Sequence, residues 1–259
     1  MSVHITFNQH EGGFFSNFNK VITCLAYSEN ISKISWNLIG QPFGAFAYNC
    51  GEVFSNLFEL YDEQKLIDSH HVETEFKYLE YTGKDTHQLY ISDNTWRSDL
   101  NKVYKKYIIP TKLLQKSIDV VDEHFAKNAN IKVGILKRNQ LLKCEQTNNT
   151  MPSMESYINN IHQIPGNKTC VLSIDNNTDI ELFKSIRDMK FIYSTGIRRT
   201  TKDTDMEPHF LPGTIQDALY YFMDVYMLSK CDFLIHPVSN MATAALYMNP
   251  NLKSIYLQQ

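Results

Sequence analysis

Ser239 and Asn240 come directly after a short apolar strand and directly before a predicted helix. The strand, Phe233-Leu234-Ile235, is wholly apolar, which is typical of a strand covered on both faces of a parallel sheet. Ser and Asn are preferred at helix N-caps, where their side chains accept a hydrogen bond from a backbone N–H group. A helix N-terminus beyond a parallel strand favours anions through its N–H groups and its dipole. These residues therefore predict a phosphate-binding site.

Arg138 is the second candidate for contact with a phosphate. It follows an apolar strand predicted over residues 132–136. An arginine guanidinium is always charged and can hold a phosphate through two parallel hydrogen bonds, each worth about 1.5–3 kcal/mol net. An arginine paired with a surface carboxylate would look the same in the sequence, so position alone leaves both roles open.

Asp175 and Asn176 begin a polar turn after a strand predicted over residues 170–174. A strand-terminal Asp in a doubly wound fold often contacts a ribose or a base edge. Asp also caps turns for purely local reasons. The pair is therefore a candidate nucleoside contact, with local capping as the alternative.

Asp217 and Asp224 are two helical turns apart, so their side chains project from one face of the helix before the buried strand. Asp217 lies near the helix start, where a carboxylate interacts favourably with the dipole. Asp224 lies among Met223 and Val225, where a carboxylate needs a polar partner. We expect it to bond backbone at the ligand crevice.

Three further candidate side chains lie in loops of the second half of the chain, and a candidate glycine pair lies in a turn of the first half. Glu145 could act as a general base, or it could be a solvated loop residue. Arg198 and His209 lie in the long connection before the helix at residue 215, and long loops at the carboxyl edge of a sheet are often lids. Gly12 and Gly13 follow the first predicted strand, where glycine allows a ligand to approach the backbone closely.

The second half of the chain alternates strand and helix five times, which favours a parallel sheet with helices on both faces. The predicted strands cover residues 132–136, 170–174, 190–193, 233–236 and 254–257, and the predicted helices cover residues 153–162, 179–188, 215–229 and 240–247. In the usual order, 3-2-1-4-5, the first and fourth strands are neighbours and ligands bind beyond their carboxyl ends. This topology would bring Arg138 opposite Ser239 and Asn240.

The first half is less regular. Strands are predicted at residues 3–7, 34–38 and 90–92, and helices at residues 14–27, 98–108 and 111–127. Pro110 separates the last two helices, because proline breaks a helix and restricts the residue before it.

Composition and residue spacing argue against a nucleic-acid binder, a metal site and a membrane-spanning protein. A net charge of −3 over 259 residues argues against a nucleic-acid binder with a broad basic surface. The five cysteines are scattered without metal-ligand spacing, as in a reducing compartment. The pair His70-His71 has no partner at such spacing either, so no metal site is predicted. No signal peptide or membrane span is recognisable, which favours a cytoplasmic protein.

Several segments resemble the fucosyltransferase-like glycosyltransferases, the group of α-1,6-, protein O- and nodulation fucosyltransferases. Residues 224–240 are similar to the family block D-x-x-x-L-S-x-C-D-x-x-I…S-S/N. Residues 133–138 (VGILKR) resemble the strand running into H-x-R-R/G-T-D-K, and residues 152–158 (PSMESYI) resemble S-x-E-x-Y-I. Residues 171–176 (VLSIDN) resemble a strand ending in A-T-D-D/N, and residues 12–18 (GGFFSNF) resemble the glycine-led turn of the acceptor-side domain.

The resemblance implies an α/β, GT-B-like architecture of two Rossmann-type, doubly wound parallel-sheet domains facing a cleft. We expect an acceptor-side domain over residues 1–128 and a nucleotide-sugar-binding domain over residues 129–259. The implied activity is inverting, metal-independent transfer of a sugar, fucose from GDP-fucose, to a glycan hydroxyl, with the GDP-sugar as co-substrate and no other cofactor. The resemblance implies that Arg138 binds the donor diphosphate, Asp175 the nucleoside, and Asp224 with Ser239 and Asn240 the phosphate region. We expect Asn176, Arg198 and His209 to contact the donor too, from their positions in the turn and the long loop. Gly12, Gly13 and Asn17 would face the acceptor, and Glu145 with Arg138 would be catalytic.

Leu136 stands where the family pattern has His, and Asn139 to Leu142 replace its basic, Thr and Asp positions. Two other functions therefore stay open. The chain could be a non-catalytic descendant that binds a nucleotide or a glycan through the same cleft, or a transferase that uses another nucleotide sugar.

Overall fold

The computed structural model describes residues 14–15, 18–19, 22, 56–59, 94–137, 152–175, 177–187, 189–193 and 215–257, without the side chain of residue 217. Seven strands and six helices lie within these ranges. The strands are β1 (Phe58–Glu59), β2 (Ile109–Pro110), β3 (Ile131–Lys137), β4 (Lys168–Ile174), β5 (Lys190–Tyr193), β6 (Phe233–His236) and β7 (Lys253–Tyr256). The helices are α1 (Asn94–Tyr107), α2 (Lys112–Ala126), α3 (Met154–Gln163), α4 (Asn177–Lys184), α5 (Ile215–Ser229) and α6 (Asn240–Met248).

Strands β3 to β7 form one parallel sheet in the order β5-β4-β3-β6-β7. This is the predicted order 3-2-1-4-5, and the α/β fold class is confirmed. Strand β3 is the central strand, and β3 and its neighbour β4 are nearly continuous apolar runs, because helices cover both of their faces. Strands β1 and β2 form a separate antiparallel pair.

Two element boundaries differ from the predicted ones by four residues, and the other described boundaries differ by two residues at most. Helix α1 begins at Asn94, four residues before the predicted start. The prediction began too late because the first turn carries the buried polar residue Arg97, and the apolar period becomes visible only at Leu100. Helix α4 ends at Lys184 instead of residue 188, where the Ser185 hydroxyl donates to the Leu182 carbonyl at 2.6 Å and closes the last turn. The strands predicted at residues 3–7, 34–38 and 90–92 lie outside the described residues.

The two faces of the sheet carry separate cores. One face packs against α3 and α4, with Tyr157, Ile161 and Phe183 fully buried. The other packs against α5 and α6, which in turn contact α1 and α2 and the described residues near the start of the chain. Helix α5 lies close to β3 at Gly134, where a Cβ atom would come within 3.0 Å of Leu228 Cδ2.

The described residues from the start of the chain, including Phe14, Phe15 and Phe18, are helical, as predicted, and buried. Their rings form a cluster with Phe58 and Phe222, with centroids 5.1–6.2 Å apart. Contacts of this kind contribute about 0.5–1.5 kcal/mol beyond the area that they bury. The cluster attaches the beginning of the chain to α5.

Cys170 makes the fold sensitive to alkaline pH. Burial raises the pKa of the Cys170 thiol from 9.0 to about 12, although Lys168 acts in the opposite direction. In the unfolded chain the thiol ionises from about pH 9, whereas in the folded chain it keeps its proton. The unfolded state therefore binds fewer protons between about pH 9 and pH 12, and this group should lower the free energy of unfolding by about 1.4 kcal/mol per pH unit there.

Urea denaturation at a series of pH values across that window would measure the effect. Cys170→Ala should show a shallower loss of stability with rising pH than the wild type, because the thiol that titrates is gone. Parallel curves for the two proteins would contradict the assignment of the effect to Cys170.

Candidate functional site

The candidate site lies at the carboxyl edge of the sheet, where β3 and β6 run side by side. Strand β3 ends at Lys137 and β6 ends at His236. The turn of residues 237–239 then leads into α6, and the turn after β4 begins at Asp175. Topology thus brings three segments, separated by up to a hundred residues in the sequence, to one edge.

Ser239 is the N-cap of α6, as predicted. Its backbone is extended (φ −161°, ψ 140°), and its hydroxyl oxygen accepts a hydrogen bond from the Met241 N–H group at 3.2 Å. The Thr243 N–H group and hydroxyl both donate to the Ser239 carbonyl, at 3.0 and 3.2 Å. A hydroxyl that accepts one bond can still donate its own proton. Ser239 and the first N–H groups of α6 therefore form an end of the helix suited to an anion.

Asn240 is the first residue of α6 and is held from the other half of the chain. Asn19 Nδ2 donates to the Asn240 carbonyl at 2.9 Å and lies 3.3 Å from Asn240 Oδ1. Asn19 Oδ1 accepts from the hydroxyl of Tyr247 at 2.9 Å. One buried amide thus connects the first and the eighth residue of α6 to the start of the chain.

Helix α6 is also held at its carboxyl end. Asn101 Nδ2 donates to the Tyr247 and Met248 carbonyls, both at 2.8 Å, and Arg97 donates to the Leu252 carbonyl at 3.1 Å. The Tyr247 and Met248 carbonyls are among those that a helix end leaves without intrahelical partners, whereas the Leu252 carbonyl lies in the connection from α6 to β7. Residues of α1 therefore take the place of water there.

His236 fixes the turn between β6 and α6. The side chain is 1% exposed. Its Nδ1 lies 2.9 Å from the Pro237 carbonyl oxygen, which can only accept, so Nδ1 carries a proton. Nε2 lies 2.8 Å from the Ser254 hydroxyl and accepts from it when the ring is neutral. The sequence prediction ended a strand at His236 without giving this residue a role. Its position, a histidine at the end of an apolar strand, was the signal that could have indicated its role in holding the turn.

Asp224 is buried against the sheet, with 5% of its surface exposed. Its Oδ2 accepts a hydrogen bond from the Ser173 hydroxyl of β4 at 3.1 Å. Ser173 pairs in register with Leu136 of β3, one residue before the end of that strand. The sequence did not indicate this side-chain partner near the carboxyl edge, and the expected backbone bond of Asp224 stays a prediction.

Charged side chains lie at the ends of β3 and β4. Lys137 forms an ion pair with Asp179 in the first turn of α4, and both side chains are 15% exposed. The Tyr157 hydroxyl donates to the Leu136 carbonyl at 3.0 Å. Burial raises the pKa of Tyr157, and the negative charges of Asp179 and Asp175 raise it further. The edge thus carries two carboxylates and a lysine, of which only Asp175 was predicted as a site residue.

The other predicted site residues lie outside the described residues: Arg138, Glu145, Asn176, Arg198, His209, Gly12, Gly13 and Asn17. Within the described ranges, no group of three or more His, Cys, Asp or Glu side chains could hold a metal ion. The helices of those ranges include none that is long and apolar enough to cross a bilayer.

Comparison with known proteins identifies the fold. No family model matches the chain, and no curated protein matches it in sequence. Among solved structures, 96% of the chain aligns with 93% of NodZ α-1,6-fucosyltransferase co-crystallised with GDP, with a TM-score of 0.60 and 12% sequence identity. Fucosyltransferase NodZ from Bradyrhizobium aligns over 96% and 94% of the two chains, with a TM-score of 0.58 and 12% identity. NodZ soaked with GDP-fucose gives the same values.

The chain therefore has the fold of the NodZ fucosyltransferases, which confirms the resemblance noted in the sequence and the GT-B-like α/β class. The match extends along nearly the whole chain, whereas the sequence motifs covered parts of it. At 12% identity the likeness concerns the fold. The activity has to be argued from the site.

Proposed function

We propose that this protein is a glycosyltransferase that takes its sugar from a nucleoside diphosphate sugar, GDP-fucose in the first instance. The observation that carries the proposal is the carboxyl edge of β3 and β6, where the Ser239-capped start of α6 lies beside the end of β3. This is where ligands bind in doubly wound sheets. It occurs in a fold shared along nearly the whole chain with a fucosyltransferase co-crystallised with GDP.

In the proposed site, Ser239, the first N–H groups of α6 and Arg138 bind the diphosphate. Asp175 and Asn176 contact the nucleoside, Asp224 belongs with Ser239 and Asn240 to the phosphate region, and Arg198 and His209 add further contacts with the donor. Asn240 places the first turn of α6 through its bonds with Asn19. Gly12, Gly13 and Asn17 face a glycan acceptor. We place the reaction in the cytoplasm.

The proposed reaction is a single displacement with inversion and without a metal ion. Glu145 removes the proton from an acceptor hydroxyl, and the oxygen attacks the anomeric carbon from the face opposite the diphosphate. The bond from that carbon to the diphosphate oxygen breaks, and GDP leaves with the electron pair. Arg138 and the N-terminus of α6 stabilise the negative charge that develops on the leaving group.

A thermal-shift assay with GDP, UDP and CDP tests the proposal. GDP at a hundred times its Kd should stabilise the fold by about 2.7 kcal/mol, which corresponds to a rise in Tm of several degrees. Arg138→Ala should abolish the shift. Arg187→Ala should retain it, because Arg187 is an exposed arginine that follows α4, toward the opposite edge of the sheet.

Stabilisation by UDP or CDP in place of GDP would identify a transferase for another nucleotide sugar. No stabilisation by any of the three at millimolar concentration would contradict the proposal. Release of GDP from GDP-fucose, or mass-spectrometric detection of a fucosylated glycan, would establish catalysis.

One observation favours a non-catalytic descendant as the second candidate. Leu136, which stands where the related motif has a histidine, is fully buried among apolar side chains. This leucine offers no polar atom of its side chain to a donor at the sheet edge. GDP stabilisation without any turnover of GDP-fucose would support this alternative.

A further inference from the structure

The junction of α1 and α2 carries a concentration of positive charge that the protein as a whole lacks. Residues 100–118 contain five lysines and no acidic residue, in a chain of net charge −3. Lys102 pairs with Asp99 at 2.8 Å. Lys105, Lys106, Lys112 and Lys116 are exposed as well, and Lys106 Nζ lies 4.7 Å from the centroid of the Tyr107 ring. We call these four lysines, together with Ile109 and Leu113, the lysine corner.

Exposed aliphatic side chains lie between those lysines. Ile109 is 39% exposed and Leu113 is 49% exposed, and Val120, two turns further along α2, is 67% exposed. Leu113, Lys116 and Val120 recur at helical spacing and so share one face of α2. The opposite face of this helix is buried through Leu114, Ile118 and Phe125. The outer face of α2 therefore mixes apolar and positively charged side chains.

Two of the three acidic residues of α2 are paired away from the lysine corner. Glu123 pairs with Lys127 at 2.6 Å, and Asp122 accepts from the Tyr226 hydroxyl at 2.9 Å and pairs with Lys230 at 2.9 Å. Two exposed acids stand beside the corner among the described residues. Asp119 follows Lys116 by one helical turn and accepts a hydrogen bond from Gln115 at 2.7 Å, and Glu59 is opposite Ile109 in the β1–β2 pair.

We propose that the lysine corner docks this protein on the surface of a negatively charged lipid bilayer. Lysine stems lie along apolar surface while their ammonium groups stay in water, and aliphatic side chains between them can enter the headgroup boundary. Each lysine close to an anionic leaflet strengthens binding roughly fivefold. The contact is peripheral, and it goes beyond the proposed sugar transfer without depending on it.

A lipid surface fits the chemistry better than a nucleic acid does. Nucleic-acid-binding proteins contact phosphates with arginine as well as lysine side chains and stack aromatic rings on exposed bases. The lysine corner contains no arginine. The nearest rings, Tyr104 and Tyr107, are half-buried and buried. Its apolar members are aliphatic, which suits lipid.

Vesicle co-sedimentation tests the proposal with the full chain. Binding is expected to vesicles that mix phosphatidylserine with phosphatidylcholine and not to phosphatidylcholine alone, and it should weaken as salt rises. Lys112→Glu with Lys116→Glu should reduce binding at least twentyfold, since two attractive charges become repulsive. Leu113→Ser should also reduce binding, through loss of apolar insertion. Glu59→Gln should increase it.

Lys190→Glu is the matched control, because it reverses an exposed lysine at the far edge of the sheet, and it should bind like the wild type. Far-ultraviolet circular dichroism and Tm would verify that each variant is folded. Equal affinity for the two kinds of vesicle, no binding to either, or unchanged binding by the Lys112/Lys116 variant would overturn the proposal. So would salt-sensitive binding to a DNA oligonucleotide without binding to vesicles.

Discussion

Replacing Asn19 with leucine should lower the free energy of unfolding by about 2–4 kcal/mol. The amide is 8% exposed and makes contacts with the Asn240 carbonyl, the Asn240 side chain and the Tyr247 hydroxyl. Leucine has the same number of side-chain heavy atoms in the same branched arrangement but can neither donate nor accept, so it leaves buried polar groups of α6 without this partner. Urea denaturation of the two proteins would measure the difference.

Tyr247→Phe is the control for the Asn19 variant, because it removes a single hydrogen bond of the same network and should cost about 1 kcal/mol. If Asn19→Leu costs no more than Tyr247→Phe, the contacts with Asn240 contribute nothing and the interpretation is wrong. If the N-terminus of α6 binds the donor diphosphate, Asn19→Leu should also weaken GDP binding more than Tyr247→Phe does, at a temperature where both variants are folded.

Phe222→Ala should have the largest effect on stability, a loss of about 3–5 kcal/mol in the free energy of unfolding. The ring is fully buried. Its centroid lies 6.2 Å from that of Phe18, 5.3 Å from that of Phe58 and 6.4 Å from that of Tyr226. Removal of the ring would leave a cavity where α5 meets two segments of the first half of the chain.

Phe183→Ala is a matched comparison, since Phe183 is equally buried but belongs to the core on the opposite face of the sheet. Both variants should be destabilised. Hydrogen exchange should increase around Phe14, Phe15 and Phe18 in the Phe222 variant alone. Equal protection of those amides in the two variants would show that the ring cluster does not hold the start of the chain.

The arrangement of the second half could be predicted because its determinants are local or follow from handedness. Apolar strands alternate with amphipathic helices, and right-handed crossovers then limit the sheet to a few orders. The N-cap at Ser239 was recognisable for the same reason, since a side chain that bonds to a backbone group two residues away needs no distant partner. The α/β class, the strand order and the start of α6 could therefore all be predicted from local patterns and the handedness of crossovers.

Contacts between distant segments could not be predicted in the same way. Nothing near Asn19 indicates a partner 221 residues away, and Asn101 could equally be a solvated helix residue. The ion pair of Lys137 with Asp179 and the bond of Ser173 to Asp224 depend on how neighbouring strands and helices are placed, which no single-sequence period encodes. The roles of Arg138 and Glu145 remain predictions.

The attachment of α6 at both ends has a consequence for the order of folding. Asn19 and Tyr247 are 228 residues apart, and Asn101 is separated by 146 residues from the carbonyl that it caps. Contacts between such distant positions slow folding, because a long loop must close before they form. During synthesis, the aromatic side chains near the start of the chain must wait for α5 and α6 to leave the ribosome. We therefore expect nascent chains that stop before residue 240 to be the species most dependent on chaperones.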